Sequence, residues 1–212
     1  MKLCRLAVLV SGRGSNLQAL LRTLHGRRAV GRRVEIVLVV SSRAGVPALS
    51  RARRAGVDAV VMDPRRWRSS RGYFQELLTL LRDRRIEMVC LAGWLVRLSP
   101  AVVRAFRGRM LSIHPSLLPL FGGAGMYGRR VHEAVLHSGM KVSGCTVHLV
   151  NERYDAGPIL VQRSVPVKPG DTPQSLARRV LREEHRAYPE AVRMVLRPAP
   201  RHHFKHTSDP DG

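Results

Sequence analysis

The stretch Leu6-Ala7-Val8-Leu9-Val10-Ser11-Gly12-Arg13-Gly14-Ser15-Asn16-Leu17-Gln18-Ala19-Leu20-Leu21 changes its hydrophobic period half-way through. The continuous apolar run at 6–10 reads as a short strand buried on both faces. Leu17, Leu20, Leu21 and Leu24 then recur at helical spacing. A glycine turn joins the two elements. Glycine lets the backbone come close to a ligand, and the helix N-terminus offers unpaired N–H groups and a positive dipole end, which suits phosphate. Leu17 stands where a dinucleotide-type G-x-G-x-x-G turn has its last glycine, so that fingerprint is incomplete. A plain turn with Ser15 or Asn16 as N-cap is the competing reading.

The same alternation runs on. The sequence predicts strands over 34–41, 59–62 and 88–92, helices over 47–55 and 73–84 with a polar loop at 63–70 between strand and helix, and a short helix over 100–106. A further apolar strand ends at His114. This order predicts an α/β fold with a doubly wound, mostly parallel, Rossmann-like sheet. After Pro119 the texture changes. Gly122-Gly123-Ala124-Gly125-Met126-Tyr127-Gly128 is a connector or a lid, 129–137 is helical, and strands at 141–150 and 159–167 form an antiparallel extension. Thr172 as N-cap and Pro173 at the first helical position open a long last helix. The expected organisation is one domain over 1–197, with a phosphate-binding half at about 1–100 and a catalytic half at about 101–197, followed by a flexible tail at 198–212.

Composition narrows the function classes. The chain has 212 residues, 44% of them hydrophobic, enough for one core. Lys and Arg number 37 against 15 Asp and Glu, a formal charge of +22. Nearly all of this is arginine, scattered without interleaved aromatics, so an anionic small molecule is expected rather than nucleic acid. Cys4, Cys90 and Cys145 are too far apart for a disulfide framework or zinc ribbon. The apolar run at 6–10 is too short for a secretory signal, and no stretch has the length of a membrane span, so a cytoplasmic protein is expected.

Met110-Leu111-Ser112-Ile113-His114-Pro115-Ser116-Leu117-Leu118-Pro119 holds the candidate chemistry. A histidine at a strand end faces the crevice where open α/β sheets bind ligands, and its near-neutral pKa suits it to move a proton. Asp155, in the loop between the last two strands, is its candidate partner. A carboxylate beside an imidazole raises its pKa and fixes its tautomer. No G-x-S-x-G nucleophile and no metal-ligand spacing accompany His114, so no metal is expected.

With these residues in place, the chain resembles the phosphoribosylglycinamide formyltransferase family of folate-dependent enzymes over about 6–189. The resemblance is carried by the Gly14-Ser15-Asn16 turn, Leu91-Ala92-Gly93-Trp94, His114-Pro115-Ser116-Leu117-Leu118-Pro119, Gly144-Cys145-Thr146-Val147-His148, Asp155-Ala156-Gly157-Pro158-Ile159, and Glu184-His185 with Tyr188-Pro189. It implies transfer of a formyl group from 10-formyltetrahydrofolate, the co-substrate, to the amine of 5-phosphoribosylglycinamide in purine biosynthesis. It implies His114, Asp155 and Ser112 as catalytic residues, and Gly14, Ser15, Asn16 and Glu184 as binders of the ribonucleotide. For folate it implies Arg71, Leu95, Val96, Arg97, Leu98, Ser112, Asn151, Glu152, Arg153, Tyr154 and Asp155. The implied partners are these small molecules, with no membrane, and the chain is expected as a monomer or homodimer.

Three departures stand out. The family usually has Asn where this chain has Ser112, and serine offers one hydroxyl hydrogen in place of a carboxamide NH₂. Leu95-Val96 replace the family's Met-Arg, with Arg97 one position later. Ser70 stands where a folate-contacting Arg is expected, which leaves Arg71 beside it. Two alternatives remain open: another folate-dependent one-carbon enzyme, such as a formyltetrahydrofolate hydrolase or tRNA formyltransferase, and a non-catalytic binder of folate or RNA.

Overall fold

The computed structural model describes residues 3–197. The expected tail at 198–212, with His202, His203 and His206, lies outside the described residues. The described chain forms β1 (Leu3–Val10), α1 (Ser15–Leu24), β2 (Arg27–Ala29), β3 (Arg32–Ser41), α2 (Pro47–Arg54), β4 (Asp58–Val61), α3 (Ser70–Asp83) and β5 (Met88–Leu91). Then come α4 (Pro100–Ala105), β6 (Met110–His114), α5 (Arg129–His137), β7 (Val142–Leu149), β8 (Ile159–Pro166) and α6 (Pro173–Leu196).

One sheet of eight strands runs in the order β2-β3-β1-β5-β6-β7-β8, with β4 also paired to β3. The pairs β1–β3, β1–β5, β3–β4 and β5–β6 are parallel; β6–β7 and β7–β8 are antiparallel. The doubly wound sheet and its antiparallel extension are therefore as the alternation of elements predicts. From β1 the chain moves outward to β3 and β4, then returns to β5 on the other flank. The carboxyl ends of β1 and β5 thus lie at the topological switch point, where such sheets form their crevice.

The strand period of two splits the core. Along β1, Leu6, Val8 and Val10 join the cluster under α1 and α6, while Ala7 and Leu9 join the cluster under α3 and α4. Along β6, Leu111 enters the first cluster and Met110 the second. The Tyr188 hydroxyl of α6 is shared between the carbonyl oxygens of Leu91, at 2.9 Å, and Leu111, at 3.1 Å, tying the helix to the ends of two central strands.

The differences from expectation are local. The hairpin β2–β3 has no sequence signature, because Arg27-Arg28-Ala29 is not apolar and Val30, at φ 50°, takes a conformation β-branched residues rarely adopt. Helix α3 begins three residues before the expected start, because Ser69 accepts the Gly72 N–H at 3.1 Å and caps it. The loop before it contains a 3₁₀ turn, Pro64–Arg66, capped by Asp63. Thr172 and Ser175 form a reciprocal capping box at the start of α6.

Gly14 has a structural duty of its own. It is the left-handed N-cap of α1, at φ 72°, and a Cβ there would sit 2.7 Å from the Ala48 Cβ of α2. The first turn can approach α2 only without a side chain. Gly14→Ala is expected to lose roughly 2 kcal/mol or more from backbone strain and overpacking together. The measurement is a urea titration in which the midpoint falls at unchanged slope; an unchanged midpoint would contradict this packing.

Candidate active site

A cleft of about 1030 Å³ opens along the carboxyl ends of β1, β5 and β6. At one end lie Arg13, Ser15 and Asn16 from the first turn, with Gln174, Arg178 and Glu184 from α6. At the centre are Ser112, His114, His132, His148 and Asp155. Leu95, Val96, Arg97 and Leu98 form one wall of the remaining part, and Asn151, Glu152, Arg153 and Tyr154 contribute to the same cavity. The sequence could not show that these stretches share a single space.

Strand register builds the centre. Leu91, Ser112 and His148 lie in one row across β5, β6 and β7. Ser112 and His114, two apart on β6, point to the same face, and His148 stands directly opposite Ser112. The loop after β7 then folds back. A Cβ on Gly157 would fall 1.7 Å from the Leu149 carbonyl oxygen, so only glycine lets this loop close on β7. That closure seats the Asp155 carboxylate between two imidazoles. Its oxygens are 3.5 Å from His114 Nδ1 and 3.5 Å from His148 Nε2.

The tautomers follow from the partners. His114 Nε2 is 2.8 Å from the Phe121 carbonyl oxygen, and His148 Nδ1 is 2.9 Å from that of Leu149. A carbonyl can only accept, so each of these nitrogens carries its hydrogen. In the neutral rings the nitrogens facing Asp155 are therefore bare, and a proton placed there gains a charged partner. Asp155 also accepts the Gly123 N–H at 2.9 Å. Both Asp155, at φ 50°, and Phe121, at φ 54°, are non-glycine residues in the left-handed region. Such backbone costs about 1–3 kcal/mol per residue and persists where surrounding contacts hold it.

Burial and charge compete here. Burial drives the His114 pKa down and outweighs the opposing pull of Asp155. The expected rise from the carboxylate is present but is the smaller effect, so the resting ring is neutral at physiological pH. Burial alone would raise the Asp155 carboxyl. The His148 ring, the pull of His114 whenever that ring is protonated, and the Gly123 N–H reverse this and hold it below the usual carboxylate range. At the far end, burial pushes the Glu184 carboxyl up, only partly offset by the Asn16 carboxamide, which donates to it at 2.5 Å. Asn16 Oδ1 is buried with no protein partner.

Of the residues named from the sequence, Ser15, Asn16, Leu95, Val96, Arg97, Leu98, Ser112, His114, Asn151, Glu152, Arg153, Tyr154, Asp155 and Glu184 line the cleft. Two do not. Gly14 is spent on the approach to Ala48. Arg71 is exposed on the first turn of α3, and no residue of that helix, Ser70 included, contributes to the cleft lining. The sequence reading gave no role to His132, His148, Arg13 or Arg178. His148 could have been found from its place at the end of a strand paired with the His114 strand. His132 sits on the buried face of α5, where the pattern reads as core.

Comparison with known proteins places this geometry. The Formyl transferase family profile matches residues 4–192. The chain belongs to the formyl transferase family. It is 44% identical over 90% of its length to a glycinamide ribonucleotide transformylase from Symbiobacterium toebii, covering 86% of that chain with a TM-score of 0.83. A phosphoribosylglycinamide formyltransferase from Brucella melitensis is 42% identical over 91% of this chain and 95% of its own, with a TM-score of 0.82. The trifunctional purine biosynthetic protein adenosine-3 of Gallus gallus is 44% identical over 90% of this chain, which spans 18% of that protein's length. Among the described residues, no helix is long and apolar enough to cross a membrane.

Buried histidines with lowered pKa make stability depend on pH. Burial lowers His114, His132 and His185 below the ordinary value of 6.5. Below that value the unfolded chain binds protons that the folded chain does not, so stability falls as pH drops. Unfolding free energy is expected to decline between about pH 6.5 and 5, before the carboxylates titrate. His132→Gln is expected to flatten the slope. A slope unaltered in that variant would remove His132 from the account.

Proposed function

We propose that the cleft transfers a formyl group from 10-formyltetrahydrofolate to the amine of 5-phosphoribosylglycinamide, a step of purine biosynthesis. The observation that supports this most directly is one continuous cavity joining a phosphate-suited helix turn to a histidine–carboxylate centre. The likeness to formyltransferases at 42–44% identity supports the same reading.

The ribonucleotide phosphate lies at the N-terminus of α1, with Ser15 and Asn16 beside it and Arg13 and Arg178 adding positive charge. Glu184 and the free Asn16 Oδ1 accept hydrogen bonds from the sugar or glycinamide. The reduced folate lies along Leu95, Val96 and Leu98 and the 151–155 loop, with its formyl group directed at the centre.

The substrate amine is the nucleophile, so the protein need not supply one. Attack on the formyl carbon forms a C–N bond and moves an electron pair onto the formyl oxygen. The Ser112 hydroxyl donates to that oxygen in place of the family's usual carboxamide. His114, neutral at rest, takes the proton released by the amine at its free Nδ1. Asp155 stabilises the imidazolium that results. The same proton then passes to the folate nitrogen as the C–N bond to the cofactor breaks. A lowered His114 pKa thus favours the base at the start, and the carboxylate favours the acid that must follow.

The test follows deformylated folate by absorbance, with and without the ribonucleotide. Product that requires both ligands is expected; product from folate alone would point to hydrolysis instead. His114→Ala is expected to lose about 10²–10³ in turnover while keeping its circular dichroism. Ser112→Ala is expected to lose roughly 10–100-fold, the worth of one hydrogen bond to a charged oxygen. Near-normal turnover of the His114 variant would overturn the proposal.

A further inference from the structure

Glu184 is a buried acid that lacks a charged partner. It is 8% exposed and lies at the end of the cleft beside the first turn of α1. Its partner there is an uncharged amide: Asn16 Nδ2 donates to Oε2 at 2.5 Å, and Oε1 has no hydrogen bond among the described residues. The other carboxylates drawn out of solvent are compensated. Asp63 and Asp171 each have an arginine at 2.6 Å, and Asp155 lies between two imidazoles. Among the described residues no cation comes within ion-pair distance of Glu184. The groups around it do not supply the missing charge. The Cys145 thiol of β7 feels its charge, but burial pushes that thiol up to about 12 and keeps it neutral. On α6, Glu183 turns to Arg163 and Arg186. Burial and the Arg22 charge of α1 lower His185, and Tyr188 donates to Leu91 and Leu111. Arg13 and Arg178 line the same end of the cleft without pairing to it.

Burial pushes the Glu184 carboxyl up, and the Asn16 carboxamide offsets this only in part. A bound ribonucleotide acts in the same direction twice. Its phosphate brings negative charge to the N-terminus of α1, the turn to which Asn16 itself belongs. Its body displaces the water that solvates Oε1. Both changes disfavour a carboxylate and favour the neutral acid. We propose that the ribonucleotide binds to the neutral acid form of Glu184 and takes up one proton from solvent as it does so. This rests on the function proposed above. The proton adds to Oε1, because Oε2 accepts from Asn16. The acid then donates through Oε1–H to a ribose or amide oxygen of the ligand, while Asn16 Oδ1 accepts from a ribose hydroxyl. A carboxylate could only accept. Ribonucleotide affinity is therefore linked to pH at the end of the cleft remote from His114. It is highest while the acid form is accessible and falls as pH rises past the value at which the empty site ionises.

The test measures binding of 5-phosphoribosyl-hydroxyacetamide to the whole chain without folate, from about pH 6.5 to 9.5. A hydroxyl replaces the amine in this probe, so its own titration ends with the phosphate, near pH 6. The unaltered protein is expected to lose affinity as pH rises, by at most about tenfold per pH unit for one proton, and by roughly tenfold over the range. Calorimetry in buffers of different ionisation enthalpy is expected to show proton uptake on binding. Glu184→Gln is expected to remove both the pH dependence and the uptake. Its carboxamide accepts from Asn16 and donates where the acid does, so at pH 9.5 it should bind more tightly than the unaltered protein. No uptake by the unaltered protein at any pH would overturn the proposal whether or not the variant folds. The same pH course in both proteins would overturn it too, as would a variant that folds yet binds tenfold more weakly at every pH, the result expected of a carboxylate acceptor. Binding that is tight but flat with pH would leave the formyl-transfer reading intact. No binding of the probe at any pH would overturn both.

Discussion

The Asp155 carboxylate, held between two imidazoles, is the constraint on which the rest of the site depends. It is not part of a regular element. It sits on a left-handed backbone in a loop that can close only because Gly157 lacks a side chain. Its two oxygens face His114 and His148, and each ring has its other nitrogen committed to a backbone carbonyl. Neither ring can turn away without giving up a hydrogen bond in a buried setting, where a lost partner costs about 1–3 kcal/mol. The arrangement therefore gathers the two remaining ring nitrogens around one carboxylate, where a proton gains a charged partner.

The sheet makes this possible by topology. Outward and returning connections part between β1 and β5, so no helix covers the carboxyl ends of those strands. The same parting lets α6 run beside β7 and β8 and still bring Glu184 to Asn16, 168 positions earlier in the chain. Tyr188, one turn further along α6, fixes the helix against Leu91 and Leu111. One helix thus ties the first-turn end of the cleft to the central strands that carry Ser112 and His114.

Burial sets the working state of the histidine more than its neighbour does. From the sequence, a carboxylate beside His114 suggested a raised pKa and a protonated ring. In the fold the ring is nearly enclosed, and the cost of desolvating a cation outweighs an attraction acting over 3.5 Å. Residue types alone paired His114 with Asp155, which the fold brings to 3.5 Å, but could not give the balance, because desolvation depends on everything packed around the ring.

The sequence by itself determined the order of the main elements, the parallel sheet with its antiparallel extension, and most of the named residues that line the cleft. These rest on local signals: hydrophobic period, glycine turns, the Thr172 cap, and motifs such as His114-Pro115-Ser116. Only the tertiary structure decided that His148 joins the centre, that Arg71 stays outside the cleft and that Gly14 serves packing against Ala48. Each of these depends on cross-strand register or on the direction of a side chain leaving its helix. A one-residue change in either moves a group to the opposite face, and no local pattern records that choice.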